Sequence, residues 1–266
     1  MIKAAVLGSP ISHSLSPKIH TRAYEIMGLE SSYSSIEITE DTFPKFFQDL
    51  NNDDGEGSWT GFSLTMPLKE VVLKHCKNSD ATSAMIKSGN TLYSVGNSWQ
   101  VTSTDFLAFK NLLNVSKESR VAIIGGGGTA RAAIGALNSK VEKVDVLLRS
   151  STRLPGLIIA APDLEITELE MSSPLNDYDL IIQTTPAGVF DPYVSNLKQV
   201  GGKLLEALYK PWPTPLVAQF EKLGGEVISG KELLVEQALF QIEIFSGQKF
   251  DFGDMRKELL SHISSD

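Results

Sequence analysis

A run of glycines near the middle of the chain limits its possible folds more than any other feature. Residues 125–130 read Gly-Gly-Gly-Gly-Thr-Ala, directly after the apolar run 121–124 and before a stretch with helical character. In such a strand–turn–helix, Gly125 allows a tight turn, Gly127 lets the backbone approach a pyrophosphate, and Ala130 allows close helix–strand packing. The order predicts a dinucleotide site with the pyrophosphate at the positive helix N-terminus; a glycine loop without a ligand is the alternative.

Strand-like runs recur after this turn at a spacing that leaves room for helices between them. They lie at 121–124, 144–148, 180–183, 204–208 and 226–228. That rhythm is typical of a parallel, doubly wound sheet of Rossmann type. Strand-like and helix-like runs also alternate before the turn, with a polar turn predicted over 51–58 and a hairpin around Gly96-Asn97-Ser98. The fold class predicted is α/β.

Composition and charge exclude several classes of function. The net charge of −8 argues against nucleic-acid binding, and no apolar run is long enough to span a membrane. A single cysteine, Cys76, rules out a disulfide framework, and with four scattered histidines no metal site is predicted. The opening residues are expected to form a strand rather than a signal peptide. Together these features favour a reducing, cytoplasmic location.

The residues after the second strand of the nucleotide unit indicate which cofactor it takes. An acidic residue there would bind the 2′-hydroxyl of NAD, whereas arginine accommodates the 2′-phosphate of NADP. The strand 144–148 ends in Arg149-Ser150, with Arg153 shortly after, while Asp145 lies too early to reach the ribose. The pattern favours NADP, with a solvated basic loop as the alternative. Arg131 places a cation in the first turn of the predicted helix, where the positive end of the helix dipole repels it. A bound pyrophosphate would offset that repulsion.

Lys69 and Asp105 lie near the starts of two predicted helices, and each has a structural and a functional interpretation. Pro67 suits the first helical position, so Lys69 falls in the first turn, where the positive helix end disfavours a protonated amine. Lys69 is therefore either a general acid/base or a solvent-facing lysine. Asp105 follows Ser103-Thr104, where an acid also stabilises a helix N-terminus, and Ser16 before Pro17 has the same N-cap alternative.

Other polar residues carry similar alternatives. Ser14 offers a hydroxyl from an ordered loop over 8–15. Asn90 is a turn residue beside Gly89 or a functional amide. Tyr209 is a core residue and Gln237 a solvated helix position, unless they bind a ligand.

Taken together, these segments resemble the shikimate dehydrogenase family over almost the whole chain. The resemblance is carried by Gly8-Ser9-Pro10-Ile11-Ser12-His13-Ser14-Leu15-Ser16-Pro17 with His20, Thr65-Met66-Pro67-Leu68-Lys69, Asn90-Thr91, Thr104-Asp105, the Gly125–Arg131 turn, Arg149-Ser150, Tyr209-Lys210-Pro211, and Gly230 through Leu233 to Gln237. Residues 211–215, Pro-Trp-Pro-Thr-Pro, further resemble the actinobacterial branch.

The resemblance implies an NADPH-dependent oxidoreductase of aromatic amino acid biosynthesis that reduces 3-dehydroshikimate to shikimate. It implies a cleft between two α/β domains, with residues 1–103 plus 232–266 binding substrate and 104–231 forming the Rossmann-type domain. Lys69 and Asp105 would form the catalytic dyad. Substrate would be bound by Ser14, Ser16, Ser63, Thr65, Asn90, Thr104, Tyr209 and Gln237. NADP would be bound by Gly125, Gly126, Gly127, Gly128, Thr129, Ala130, Arg131, Arg149, Ser150, Arg153, Thr185, Ala187, Val189, Gly230 and Leu233.

The chain also departs from the family pattern. The family often has Asn where this chain has Ser63, a shorter substrate contact, and Asp where it has Glu206. Leu148, Ser150, Val189 and Leu233 also replace usual residues around the cofactor. Two rivals stay open: a quinate/shikimate dehydrogenase that uses NAD, and a non-catalytic nucleotide-binding paralogue. The expected partner is the small-molecule substrate, with no nucleic acid and no membrane, and the chain is expected to be a monomer or homodimer.

Overall fold

A computed structural model describes residues 1–51 and 58–264, and the chain divides into two compact units. Unit 1 comprises Met1–Asp105 with Leu234–Asp266, and unit 2 comprises Phe106–Leu233. Residues 52–57, within the predicted polar turn, lie outside the described residues.

Unit 1 is built on a five-stranded mixed sheet. In chain order its first elements are β1 (Ile2–Gly8), α1 (Ser16–Ile26), β2 (Ser31–Glu37), α2 (Phe43–Asn51), β3 (Gly61–Leu64), α3 (Leu68–His75), α4 (Ala81–Ile86), β4 (Thr91–Val95) and β5 (Ser98–Thr102). The next helix, α5 (Thr104–Leu112), begins in unit 1 and continues into unit 2. The strand order is β2-β1-β3-β4-β5, with β1 parallel to both neighbours and β4 antiparallel to both of its own. The predicted hairpin is confirmed as β4–β5.

Unit 2 carries the doubly wound parallel sheet that the sequence predicts. Its elements are β6 (Val121–Ile124), α6 (Gly128–Leu137), β7 (Lys143–Leu148), α7 (Leu154–Ala160), β8 (Glu165–Glu170), β9 (Leu180–Gln183), β10 (Lys203–Glu206), α8 (Pro215–Lys222) and β11 (Glu226–Ile228). The strand order β11-β10-β9-β6-β7-β8 reverses direction between β6 and β9, and ligands of such sheets bind outside the carboxyl ends of the strands at that point. The α/β fold class is confirmed.

Sequence patterning missed the edge strand β8. Its sequence, Glu-Ile-Thr-Glu-Leu-Glu, has only two apolar residues, which do not fall on one face, and no residue in it is fully buried. The central strand β6 is buried throughout, as a parallel strand covered on both faces should be. An edge strand exposes one side to water, so its composition resembles that of a loop.

Two helices, α9 (Gly230–Ser246) and α10 (Phe252–His262), complete the chain. Val235, Leu239 and Ile242 of α9 belong to the same buried cluster as Ile19 of α1 and Leu259 of α10, so the carboxyl-terminal residues complete the core of unit 1. Within residues 1–51 and 58–264, no helix is both long and apolar enough to cross a membrane.

Candidate active site

A lysine and an aspartate from separate segments of unit 1 form an ion pair. Lys69 Nζ, from the first turn of α3, donates to Asp105 Oδ2 of α5 at 2.6 Å. Their side chains are only 18% and 7% exposed, so water screens the pair less than it would a surface pair. Pro67 precedes α3 rather than occupying its first position, which moves the predicted helix start by one residue. A shielded amine held by a carboxylate is suited to proton transfer.

The Asn90 side chain organises the surroundings of Asp105. Its Oδ1 accepts hydrogen bonds from the backbone N–H groups of Thr104, at 2.7 Å, and Asp105, at 3.3 Å. Its Nδ2 lies 3.0 Å from Asp105 Oδ1, 2.8 Å from Thr104 Oγ1 and 3.0 Å from Gln237 Oε1. Asn90 therefore binds the first N–H groups of α5. The Asp105 carboxylate bonds to the side chains of Lys69 and Asn90.

Two loops of unit 1 meet beside this pair. The Ser9 N–H donates to the Met66 carbonyl oxygen at 3.0 Å, and a Cβ on Gly8 would lie 2.4 Å from Thr65 Cγ2. Glycine at position 8 therefore lets the loop after β1 approach the loop before α3. The first loop continues to Ser14, and the second leads directly to Lys69.

The structure corrects one interpretation of the two serines of the first loop. Ser16 begins α1 with Leu15 as N-cap and no side-chain cap, so the N-cap interpretation of Ser16 is wrong. Instead, Ser14 Oγ accepts a hydrogen bond from the Ser16 N–H at 3.3 Å. The next residue, Pro17, has no backbone N–H and so cannot donate a hydrogen bond to the Ser14 side chain. Ser14 is half-buried and Ser16 is buried.

Gln241, which sequence reasoning missed, extends the polar network behind Asn90. Its Nε2 donates to the Asn90 carbonyl oxygen at 3.0 Å and to Thr91 Oγ1 at 2.9 Å, and its Oε1 accepts from Ser63 Oγ at 2.7 Å. Ser63 Oγ also lies 2.6 Å from the Tyr33 hydroxyl, which occupies space beside the short serine. The available signal was spacing, because Gln241 lies four residues after Gln237 and so on the same helix face.

A buried histidine ends this network. The His20 ring stacks on Tyr33, with its Nε2 3.3 Å from Gln241 Oε1 and its Nδ1 3.1 Å from the Tyr24 hydroxyl. An amide oxygen can only accept, so the neutral ring donates from Nε2 and accepts at Nδ1. Burial lowers the pKa of His20 from 6.5 to about 3, against the opposing effect of the Gln241 hydrogen bond.

The depressed pKa of His20 predicts a loss of stability in acid. Below pH 6.5 the unfolded chain binds a proton at His20 that the folded chain refuses until about pH 3. The free energy of unfolding should therefore fall by roughly 5 kcal/mol across that window from this group. Urea unfolding at a series of pH values should show a shallower pH dependence for His20→Gln than for wild type. His262→Gln, at an exposed position of α10, is the control; equal pH dependence in wild type and His20→Gln would contradict this assignment.

The glycine turn of unit 2 has two distinct kinds of glycine. Gly125 has φ +110° and an added Cβ would lie 2.5 Å from Thr184 Oγ1, so both backbone and packing require glycine. Gly127 is the N-cap of α6 with extended backbone, φ −83° and ψ −171°, and an added Cβ there would meet no protein atom within 4 Å. The open space at Gly127 lies directly before the positive end of α6, where an anion is stabilised.

The arginines around this turn lie in different environments. Arg131 is 9% exposed, and its guanidinium lies 3.0–3.2 Å from the position of a Cβ on Gly156 of α7. Sequence reasoning missed Gly156, which leaves room for that guanidinium. Arg149 and Arg153 are exposed, and Arg153 Cβ lies 2.7 Å from the position of a Cβ on Gly126.

A cavity of about 420 Å³ lies at the carboxyl ends of β7 and β8, lined by residues 148–151 and 168–170. Ser150 caps the short turn that follows, accepting from the Thr152 N–H at 3.4 Å. Asp145 is engaged elsewhere, because the Tyr178 hydroxyl donates to its carboxylate at 2.7 Å. The cavity thus presents Arg149 and Ser150, but not Asp145.

The remaining predicted cofactor residues lie on two further segments of unit 2. Thr185 is buried, donating its N–H and hydroxyl to Gln183 Oε1, whereas Ala187 is exposed and Val189 half-buried. A Cβ on Gly230 would lie 2.3 Å from the Leu208 carbonyl oxygen, and Leu233 is buried.

Glu206 holds the segment of unit 2 that carries Tyr209. It is fully buried, with Oε1 accepting from the Leu208 N–H at 3.1 Å and Oε2 from the Thr214 hydroxyl at 2.9 Å. Thr214 in turn is the N-cap of α8. Burial raises the pKa of Glu206 to about 7, and Asp191 adds to that rise. Tyr209 itself is half-buried, so it is not a core residue.

These residues fit a dinucleotide carrying a 2′-phosphate. A glycine that neither backbone conformation nor packing requires, at a helix N-terminus, leaves space for a pyrophosphate. The cavity beside Arg149 and Ser150 offers a guanidinium and a hydroxyl to an anion. The donor set therefore agrees with NADP.

Comparisons with known proteins find similarity over both units. A family model described as the shikimate dehydrogenase substrate binding domain matches residues 6–92. The chain is 31% identical to the shikimate dehydrogenase (NADP(+)) of Exiguobacterium sp., covering 93% of this chain and 94% of that protein. It resembles the crystal structure of Mycobacterium tuberculosis shikimate dehydrogenase with TM-score 0.86 and 31% identity, over 98% of this chain and 100% of that one. It also resembles the crystal structure of Thermus thermophilus shikimate 5-dehydrogenase in complex with NADP(H) and shikimate, with TM-score 0.83 and 25% identity, over 99% of this chain and 100% of that one.

Proposed function

The chain belongs to the shikimate dehydrogenase family, and from that premise we propose that it interconverts 3-dehydroshikimate and shikimate with NADP as cofactor. The observation that carries the proposal is the shielded Lys69–Asp105 pair, 2.6 Å apart and linked through Asn90 to Thr104 and Gln237. We further propose that unit 1 binds the substrate and unit 2 binds the dinucleotide. The first assignment is supported by the family-model match to residues 6–92, and the second by the glycine turn.

The proposed chemistry is reversible reduction of a ketone. NADPH, when bound, supplies the hydride, and that chemistry belongs to the cofactor. Negative charge then develops on the substrate oxygen, and the Lys69 ammonium stabilises it and donates a proton. Asp105 keeps that ammonium in position through Oδ2, and Asn90 Nδ2 fixes the carboxylate by donating to Asp105 Oδ1. In the reverse direction the Lys69 amine accepts the hydroxyl proton.

Substrate recognition is proposed for the polar groups around this pair. Ser14 and Ser16 would hold the carboxylate, and Thr65, Asn90, Thr104, Gln237 and Tyr209 the ring oxygens. Ser63 is the weakest candidate, because its hydroxyl already bonds to Gln241 and lies close to the Tyr33 hydroxyl. It acts better as a support for Gln241 than as a contact to substrate.

The dinucleotide residues support NADP over NAD. Gly125 to Arg131 would hold the pyrophosphate, Arg149, Ser150 and Arg153 the adenosine phosphate, and Thr185, Ala187, Val189, Gly230 and Leu233 the nicotinamide. Asp145, the acid of β7, is hydrogen-bonded to Tyr178. A cytoplasmic location is also proposed; Cys76 is a free, buried thiol, as a reducing compartment allows.

One assay tests this function against its rivals. Initial rates should be measured with shikimate and with quinate, each with NADP and with NAD. We expect the highest kcat/KM for shikimate with NADP. Faster turnover of quinate with NAD would favour the quinate/shikimate rival, and binding of NADP without turnover of either acid would favour a non-catalytic role.

A further inference from the structure

Two glutamates share the cavity that contains Arg149 and Ser150. Both come from the edge strand β8, which pairs in parallel register with β7. Glu168 lies opposite Val146 and Glu170 opposite Leu148, the residue directly before Arg149. Alternate side chains of a strand share one face, so both glutamates lie on the face that carries Leu148.

That face is the one turned towards the glycine turn. Leu148 Cδ2 lies 3.0 Å from the position of a Cβ on Gly126. Glu168 is half-buried and Glu170 is exposed, with Glu170 Oε2 accepting a hydrogen bond from the Ser172 hydroxyl at 3.2 Å. A hydroxyl carries no charge, so this bond does not offset the charge of Glu170.

We propose that Glu168 and Glu170 are specificity-determining residues that weaken the binding of a 2′-phosphate and so narrow the preference for NADP over NAD. This inference rests on the proposed function, since it concerns the cofactor of that reaction. A 2′-phosphate held by Arg149 would share the cavity with both carboxylates. A phosphate monoester carries nearly two negative charges at neutral pH, whereas the 2′-hydroxyl of NAD carries none. Repulsion of the 2′-phosphate therefore acts on NADP alone.

The size of the effect follows from Coulomb's law. At about 8 Å in water, a carboxylate and a phosphate repel by about 1 kcal/mol, and physiological salt reduces this to less than half. Each glutamate should then weaken binding by about twofold. The pair should weaken it by about threefold to tenfold, which is large enough to measure.

The experiment compares two nucleotides that differ only in the 2′-phosphate. Adenosine 2′,5′-bisphosphate and adenosine 5′-monophosphate are titrated by calorimetry against wild type and the double variant Glu168→Gln/Glu170→Gln. We expect the variant to bind the bisphosphate about threefold to tenfold more tightly and the monophosphate within about twofold of wild type. The KM for NADP should fall by a similar factor, with the KM for NAD unchanged.

Glu165→Gln is the matched control. Glu165 lies on the same strand but on its other face, does not line the cavity, and pairs with Lys143 at 3.6 Å. This variant should bind both nucleotides as wild type does. Unchanged affinity for the bisphosphate in the double variant, or an equal gain for both nucleotides, would overturn the inference while leaving the proposed function intact. Failure of wild type to bind either nucleotide would overturn both.

Discussion

Replacement of Lys69 with alanine is expected to lower kcat for shikimate oxidation by at least about a hundredfold, because a positioned acid or base typically contributes that much or more. The amine is within 2.6 Å of Asp105 and mostly shielded from water, so no other group of the pair can take its place as proton donor. The KM for shikimate should change little, because Lys69 is proposed to act mainly on charge that develops in the transition state.

The control for this prediction lies on the same helix. Lys74, on α3, is 65% exposed and pairs with the exposed Glu40, so Lys74→Ala should leave kcat at the wild-type level. Loss of Lys69 also leaves Asp105 nearly buried without its cation, so thermal unfolding should be compared for both variants. A folded Lys69→Ala protein with near-normal kcat would remove Lys69 from its proposed role.

Much of the fold could be predicted because it depends on short-range patterns. The strand–glycine–helix order around Gly125 and the regular spacing of apolar runs predict a doubly wound sheet without knowledge of any distant contact. β8 could not be predicted in this way, because an edge strand is exposed on one side and the three glutamates of β8 give it the composition of a loop. Propensity also failed at Ser16, where Pro17 and the Ser14 side chain set the helix start instead.

The site was harder to predict, because its geometry depends on residues far apart in the chain. Lys69 and Asp105 could be named from their helix positions and from the family resemblance. The contact between the Asn90 side chain and the start of α5 could not be predicted in this way. The N–H groups that donate to Asn90 Oδ1 belong to residues 104 and 105, which are distant in sequence. Gln241 is still farther in sequence from its partners Asn90 and Thr91. Its spacing of four residues from Gln237 was the only signal in the sequence that it belongs to the same helix face. A hydrogen-bond partner that is fixed by topology leaves little trace in local sequence.

Replacement of Gly127 is expected to have the second large effect, because neither the backbone conformation nor the packing of the protein requires glycine there, whereas the proposed pyrophosphate does. Its φ of −83° and ψ of −171° suit any residue, and a β-branched side chain favours such extended backbone. An added Cβ would have no protein atom within 4 Å. Gly126 differs, since a Cβ there would lie 2.7 Å from Arg153 Cβ. Valine at 127 should therefore fold normally and occupy the space through which a pyrophosphate approaches α6.

We expect Gly127→Val to weaken NADP binding by at least about a hundredfold, or roughly 3 kcal/mol, because the phosphates can no longer reach the helix N-terminus. Calorimetric titration with NADP measures the loss, and thermal unfolding without cofactor should give a Tm close to that of wild type. Gly201→Val is the matched control: this exposed glycine of unit 2 has no positive φ, and a Cβ there would make only ordinary contacts at 3.6 Å. It should bind NADP normally. If Gly127→Val also bound NADP with wild-type affinity, the pyrophosphate would have to lie elsewhere, and the dinucleotide assignment of this turn would be wrong.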